Sequence, residues 1–391
     1  MSKLLYPLPV ILGLLSLLAG CQRAPAPVNF VADGKPATLA EWHVVESDGK
    51  RLTLNTGVLP YDLNTPLFSD HAHKLRTVWM PADQAARYHE QQAFDFPVGT
   101  ILSKTFYYPK VDGAAAESGL VRQTTAATTA SPSLGLDLSQ VRLIETRLLV
   151  RRAEGWVALP YVWNDAQTDA VLERTGDQKA LELVDDAGRH QRFTYVVPNE
   201  NQCASCHVVN LKNKVFTPIG PKARHLNRTL PYAEGEENQL VRWQRAGFLS
   251  GVPNPNDPGA LPRAANWADT RLPLDERARA YLDINCAHCH QANATASNTA
   301  LRLDAFAPVD WQMGLCKPPV AAGKGTGDRL FGIVPGQPDA SIMAWRLAST
   351  EGGVMMPELG RNTVHEEGLR LVRQWIASLP GRCSPPDPNK L

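Results

Sequence analysis

Tyr281-Leu282-Asp283-Ile284-Asn285-Cys286-Ala287-His288-Cys289-His290 carries the reading of the fold. Upstream of it, Leu274 to Leu282 predicts a helix, with Ala278, Tyr281 and Leu282 on one face. That helix runs into a Cys-x-x-Cys-His motif. Cys203-Ala204-Ser205-Cys206-His207 repeats the spacing, and Asn199 can cap a short helix that carries it. Two residues between the cysteines place both sulfurs on one edge of a porphyrin, and the adjacent His reaches the iron, as in covalent c-type haem attachment. A thioredoxin-like pair, or a zinc site built from all four thiolates, would also use Cys-x-x-Cys. Neither explains a His directly after both pairs. The sequence therefore predicts two c-type haems. Cys203 and Cys206 attach the first, Cys286 and Cys289 the second, and His207 and His290 are the proximal iron ligands.

Downstream, the order of elements resembles class I cytochromes c: a helix into the motif, a Met ligand tens of residues later, and a final helix across the first. Met355-Met356-Pro357 lies in a Gly-bounded loop. The resemblance implies Met356 as distal ligand of the second haem, with Met355 as alternative and Met343 behind them; simple core packing is the other role open to these Met residues. The helix predicted from Val364 to Leu379 sets Leu369, Val372, Trp375, Ile376 and Leu379 in one stripe, and Pro380-Gly381 ends it. The first motif has no Met after it until Met313. Its sixth ligand is left among His225, His73, Met80 or an open coordination position. Arg346 is a candidate for a haem propionate, or else a surface Arg.

Residues 30–197 read differently. Runs at 100–108, 142–150, 155–163 and 191–197 are rich in β-branched and aromatic residues and broken by Gly and Pro. They predict a β-sandwich-like domain. The expected fold class is α+β multidomain: an N-terminal β-rich, sandwich-like domain at 30–197, then mainly α-helical c-type haem domains. The latter divide into a first haem segment at 198–262 and a class I-like cytochrome c domain at 263–391. Asp70-His71-Ala72-His73 could hold a metal, but close His residues in a loop are more often hydrogen-bonded or solvated.

The chain has 391 residues, 43% hydrophobic and 20% charged, with net charge +1. That composition supports real cores and gives no basic surplus for nucleic acid. Lys3 precedes an apolar run from Leu4 to Leu18, broken by Pro7 and Pro9, which fits a secretory segment at 1–20. Leu18-Ala19-Gly20-Cys21 resembles a bacterial lipobox, which implies a diacylglycerol on Cys21, a tether at 21–29 and attachment to a membrane; Gln22 favours the outer membrane. Of seven cysteines, Cys316 and Cys383 are left over, and they are expected to pair in an oxidising compartment, with two separate buried thiols as the alternative.

From about residue 60 to 380 the chain resembles an uncharacterised bacterial family of dihaem c-type cytochrome lipoproteins. The resemblance rests on Tyr61-Asp62-Leu63-Asn64-Thr65-Pro66-Leu67-Phe68-Ser69-Asp70, Tyr161-Val162-Trp163-Asn164, Leu226-Asn227-Arg228, Val334-Pro335-Gly336 and both haem motifs. It implies haem binding and electron transfer. The expected function is membrane-anchored periplasmic electron transfer between redox protein partners. A dihaem peroxidase with an open first haem is one alternative. A β domain that docks a partner, with the haems as relay, is another.

Overall fold

The computed structural model describes residues 26–115, 118–125, 131–320 and 323–384. The secretory segment expected at 1–20 and the expected lipidation site Cys21 lie outside them. The strands are β1 (Val45–Ser47), β2 (Arg51–Leu54), β3 (Leu59–Tyr61), β4 (His73–Trp79), β5 (Ala86–Arg87), β6 (Ile101–Pro109), β7 (Leu120–Arg122) and β8 (Leu136–Asp137). They continue as β9 (Val141–Arg152), β10 (Gly155–Trp163), β11 (Ala170–Leu172), β12 (Asp177–Val184), β13 (His190–Val197), β14 (Thr229–Tyr232), β15 (Gly235–Asn238) and β16 (Leu249–Ser250). The helices are α1 (Glu200–His207), α2 (Ala223–Leu226), α3 (Gln239–Arg245), α4 (Leu274–Cys286), α5 (Ile342–Ala348) and α6 (Glu366–Ser378).

The centre is a sheet in the order β11-β10-β9-β6-β4-β3, in which every pairing is antiparallel. Its two faces differ because side chains alternate along each strand. On one face Leu75, Ile101, Leu148, Val150, Leu159 and Tyr161 pack against Trp42, Val45, Leu52 and Leu136, around the small sheet β1-β2-β8. Each such buried side chain contributes roughly 1.5–3 kcal/mol. The Trp42 indole donates to Tyr161 Oη at 2.7 Å, which satisfies a polar atom inside that core.

The opposite face changes character along its length. At one end Phe106 and Tyr108 pack against Leu181, Leu183 and Tyr195 of the sheet β13-β12-β7. At the other, Val78 and Leu102 meet Leu226, Leu240 and Trp243 on α2 and α3. Between them runs a basic band. Register sets Lys104 opposite both Arg76 and Arg147, and Phe106 opposite Lys74 and Glu145. The Phe106 ring carries the cations of Lys74, Lys104 and Arg147 at 5.8, 5.1 and 4.4 Å from its centroid.

The C-terminal core is formed where α4 crosses α6 and α5. Ala278, Tyr281 and Leu282 meet Ala344, Leu371, Val372, Trp375 and Ile376. The Trp375 indole donates to Asp275 at 2.8 Å, tying α6 to the first turn of α4. An ion cluster tethers α4 to α2. Arg224 donates Nε and Nη2 to Asp283 at 2.8 and 2.9 Å, and both side chains are buried.

One expectation is overturned. The molecule is β-rich with several sheets, and the half that carries the two Cys-x-x-Cys-His motifs is not mainly α-helical. Only α4 and α6 reach thirteen residues there; the other helices span four to eight. The β14–β15 hairpin and long turn-rich stretches fill the remainder. The physical reason lies in the sequence between α4 and α5. Pro308, Pro318, Pro319, Pro335 and Pro338, with six glycines between Gly314 and Gly336, break helix propagation. No helix among the described residues is long and apolar enough to cross a membrane.

Candidate functional site

The two Cys-x-x-Cys-His motifs, 83 residues apart from Cys203 to Cys286, come together against the basic band. Asn199 starts α1 with a reciprocal capping pair: Gln202 N–H donates to Asn199 Oδ1 at 2.8 Å, and Asn199 N–H to Gln202 Oε1 at 3.0 Å. This fixes the short helix that carries Cys203 and Cys206. The second motif leaves the end of α4 in a tight turn, with His290 N–H donating to Cys286 O. Thr295 Oγ1 donates to Ser205 O at 3.0 Å and joins the two segments. Cys206 Sγ, Cys289 Sγ and a ring nitrogen of His288 all lie within 4.8 Å of one another. Cys289 Sγ donates to Ser205 O at 3.5 Å, and the contact between the two sulfurs raises the Cys206 thiol well above its ordinary range and lowers Cys289 to about 4. Burial pushes Cys203 up and Cys286 to about 12.

Each motif histidine lines its own cavity. His207 borders a cavity of about 70 Å³, with Cys206, Lys104, Arg147, Phe68, Tyr281 and His365 among its walls. His290 borders a larger, more open one of about 570 Å³, with Cys286, Cys289, Met313, Met343 and Met356. Cofactor pockets run roughly 300–1,000 Å³, so the second is cofactor-sized, while the first is smaller than that range. His207 Nδ1 donates to Thr217 O at 2.9 Å, and His290 Nδ1 lies 3.2 Å from Thr299 Oγ1. A metal-ligating His is usually held by its other nitrogen in this way, with Nε2 left for the metal. Burial lowers His207 to about 3 and His290 to about 4, so both rings are neutral, the form that ligates.

The charge on the walls matches a carboxylate-bearing group in the first cavity. Glu145 is taken up by Arg147 and by the Tyr195 hydroxyl, at 2.7 and 2.6 Å. Among the described residues no carboxylate pairs with Lys104. Burial, with Arg147 and Arg76 beside it, lowers that ammonium to about 7. In the larger cavity Met356 is held by Arg361, which the sequence did not single out. Arg361 Nη2 donates to Met356 O at 2.7 Å and to Ser349 O at 2.8 Å, and Nη1 to Thr363 O at 3.0 Å. Arg346 also lines this cavity, with Nε donated to Val354 O at 2.7 Å. Met355 is not among the lining residues; Met313 and Met343 are.

Other named residues sit elsewhere. His225 is wholly buried with Nε2 3.1 Å from Asp283 and does not border the His207 cavity. His73 Nε2 lies 2.9 Å from Thr124 O, and Met80 is part of the core around Trp243. His71 stands edge-on to Phe68 at 4.9 Å. Cys203 is buried and donates its thiol to Asn199 O at 3.4 Å. Cys316 and Cys383 are joined by a disulfide that closes 67 residues, pinning the segment after α6 beside the larger cavity. His365 carries no sequence signal, because a lone His at a helix start has no motif around it. The chain matches no family model, no curated protein and no solved structure. Its likeness to the dihaem lipoproteins therefore rests on the quoted residues alone.

Proposed function

We propose that the chain is a dihaem c-type cytochrome that transfers electrons between redox protein partners, exported and anchored through a lipid on Cys21. One observation carries this reading: two Cys-x-x-Cys-His motifs abut, while their histidines line separate cavities with Nδ1 already engaged. Each cysteine would add its S–H across a vinyl group, sulfur on one carbon and hydrogen on the other. His207 and His290 would supply the proximal nitrogens and Met356 a thioether in the larger cavity. Lys104 and Arg147 offer cations to propionate carboxylates in the first. Haem, when bound, supplies one-electron chemistry at a potential set by its axial ligands. The chain's own part is to hold the rings, exclude water with Phe68, Leu347 and Leu369, and set the two attachment edges side by side.

The test is expression of the full chain with and without haem-attachment machinery, read by intact mass and pyridine haemochrome. Two covalent haems per chain support the reading, and cysteine variants of either motif should retain one. A chain that stays unmodified refutes it. The cluster of Cys206, His288 and Cys289 favours a second reading, a three-ligand metal site of the kind zinc takes with one position open. Stoichiometric zinc in a protein without haem, lost in Cys206→Ser, would select it.

A further inference from the structure

We propose that His365 is the second protein ligand of the iron held by His207. The inference rests on the haem reading above and names a ligand for the cavity whose sixth position the sequence left open. Of the cavity-lining residues, Lys104, His288 and His365 carry a nitrogen suited to iron. Lys104 belongs to the basic band beside Arg147. His288 is confined to the attachment edge, within 4.8 Å of both Cys206 and Cys289 sulfurs. His365 comes from another element, the start of α6, and brings its ring to the cavity from outside both motifs.

The ring is held as a ligand is held. Its face stacks on Phe68, with centroids 4.3 Å apart and planes 8° from parallel. Trp267 stands against it edge-on at 4.9 Å. Nδ1 lies 3.0 Å from the Tyr281 hydroxyl. The nearest charged partner of Nε2 is Glu367 at 3.8 Å, beyond hydrogen-bond reach. One nitrogen is thus engaged and the other is left for a metal, the pattern that His207 itself displays.

Gly368 is an independent sign. It lies in the first turn of α6, although glycine is a poorer helix former than alanine. A Cβ there would fall 2.4 Å from the Tyr281 hydroxyl and 2.6 Å from His365 Nδ1. The helix gives up stability at the one position that keeps this pair in place. The same stretch between α5 and α6 then serves both cavities, with Met356 in one and His365 in the other.

The experiment uses the full haem-loaded chain and low-temperature EPR with near-infrared magnetic circular dichroism, after covalent haem has been counted. The wild type should give two low-spin haems, one with two nitrogen ligands. His365→Ala should keep two covalent haems, turn one high-spin, and regain the low-spin signal when imidazole is added. The Met-ligated signal should stay unchanged. His365→Met should remain low-spin with its near-infrared band moved to the His/Met position, which separates ligation from folding. Gly368→Ala, with His365 intact, should give a mixed-spin first haem, and His225→Ala no change. Two low-spin haems in His365→Ala, or a high-spin haem in the wild type, would overturn the assignment while leaving two covalent haems in place. A chain without covalent haem would instead sink the underlying reading, and the haem count tells the two failures apart.

Discussion

Replacing Asp283 by Asn should remove a large part of the stability of the whole chain. The carboxylate is fully buried and accepts two bonds from Arg224, at 2.8 and 2.9 Å, and one from Ala305 N–H at 3.2 Å, with His225 Nε2 3.1 Å away. Arg224 is only 4% exposed, so it cannot turn to water when its partner loses charge. Breaking a buried pair from one side costs about 3–5 kcal/mol. Summing about 1.5–3 kcal/mol for each charged hydrogen bond would overshoot that figure, because the bonds share one desolvation cost. At about 1.4 kcal/mol per factor of ten, the folded-to-unfolded ratio should fall by roughly two to four powers of ten. The assay is urea unfolding by tryptophan fluorescence, with a lower midpoint at unchanged slope. Burial pushes the Asp283 carboxyl up, but bonds from His225 and Arg224 outweigh it and hold the group well below the carboxylate range. A depressed folded value gives stability that is complete above the unfolded value, near 3.9, and lost as pH falls below it. The deficit of the variant should therefore be constant from pH 5 to 8 and shrink below pH 4. An Arg224→Met, Asp283→Leu double variant should recover most of the loss. A single-variant deficit under about 1 kcal/mol would refute the reasoning, since only a solvent-screened pair is worth so little.

Three further outcomes are expected. Met356→Ala in the haem-loaded protein should abolish the near-infrared sulfur-to-iron band, lower one haem potential and admit carbon monoxide there, whereas Met355→Ala should do none of these. Serine at both Cys316 and Cys383 should cost about 4 kcal/mol by the loop-entropy relation for 67 residues, read by thermal unfolding of the oxidised wild type beside the variant. Lys104 has a folded value of about 7, below its ordinary range through burial and neighbouring cations, so the unfolded chain binds more protons between pH 7 and 10. The stability of the haem-free chain should rise with pH across that window, and Lys104→Met should flatten the rise in a pH series of urea midpoints.

The strands at 101–109, 141–152, 155–163 and 190–197 were legible because they are long, β-branched and aromatic, and so was the helix into Cys286. β4 and β12 were not read from the sequence. Lys74, Arg76, Lys179 and Glu182 stand among few apolar residues there, so the apolar signal is weak, and those charges make sense only once the cavity face or the partner strand is known. The helical content of the second half was overestimated, because a motif that begins on a helix says nothing of the fifty-one residues between it and α5. The motif residues are local and could be read directly. The meeting of Cys206 with Cys289, the clamp of Arg361 on the Met356 loop and the orientation of His365 are long-range, and no spacing rule encodes them.

The closeness of Cys206 and Cys289 has a consequence for how the protein is made. If the chain is exported and carries haem as proposed, two thiols so near each other are natural substrates of any oxidase acting on the new chain. A bridge between them would take one attachment point from each motif and leave both half-equipped. Cys316 and Cys383, on the same polypeptide, need that oxidation. On that reading biogenesis has to be ordered in time or in access: one pair of sulfurs must be closed while another, folded within 4.8 Å, is kept reduced until both prosthetic groups are delivered.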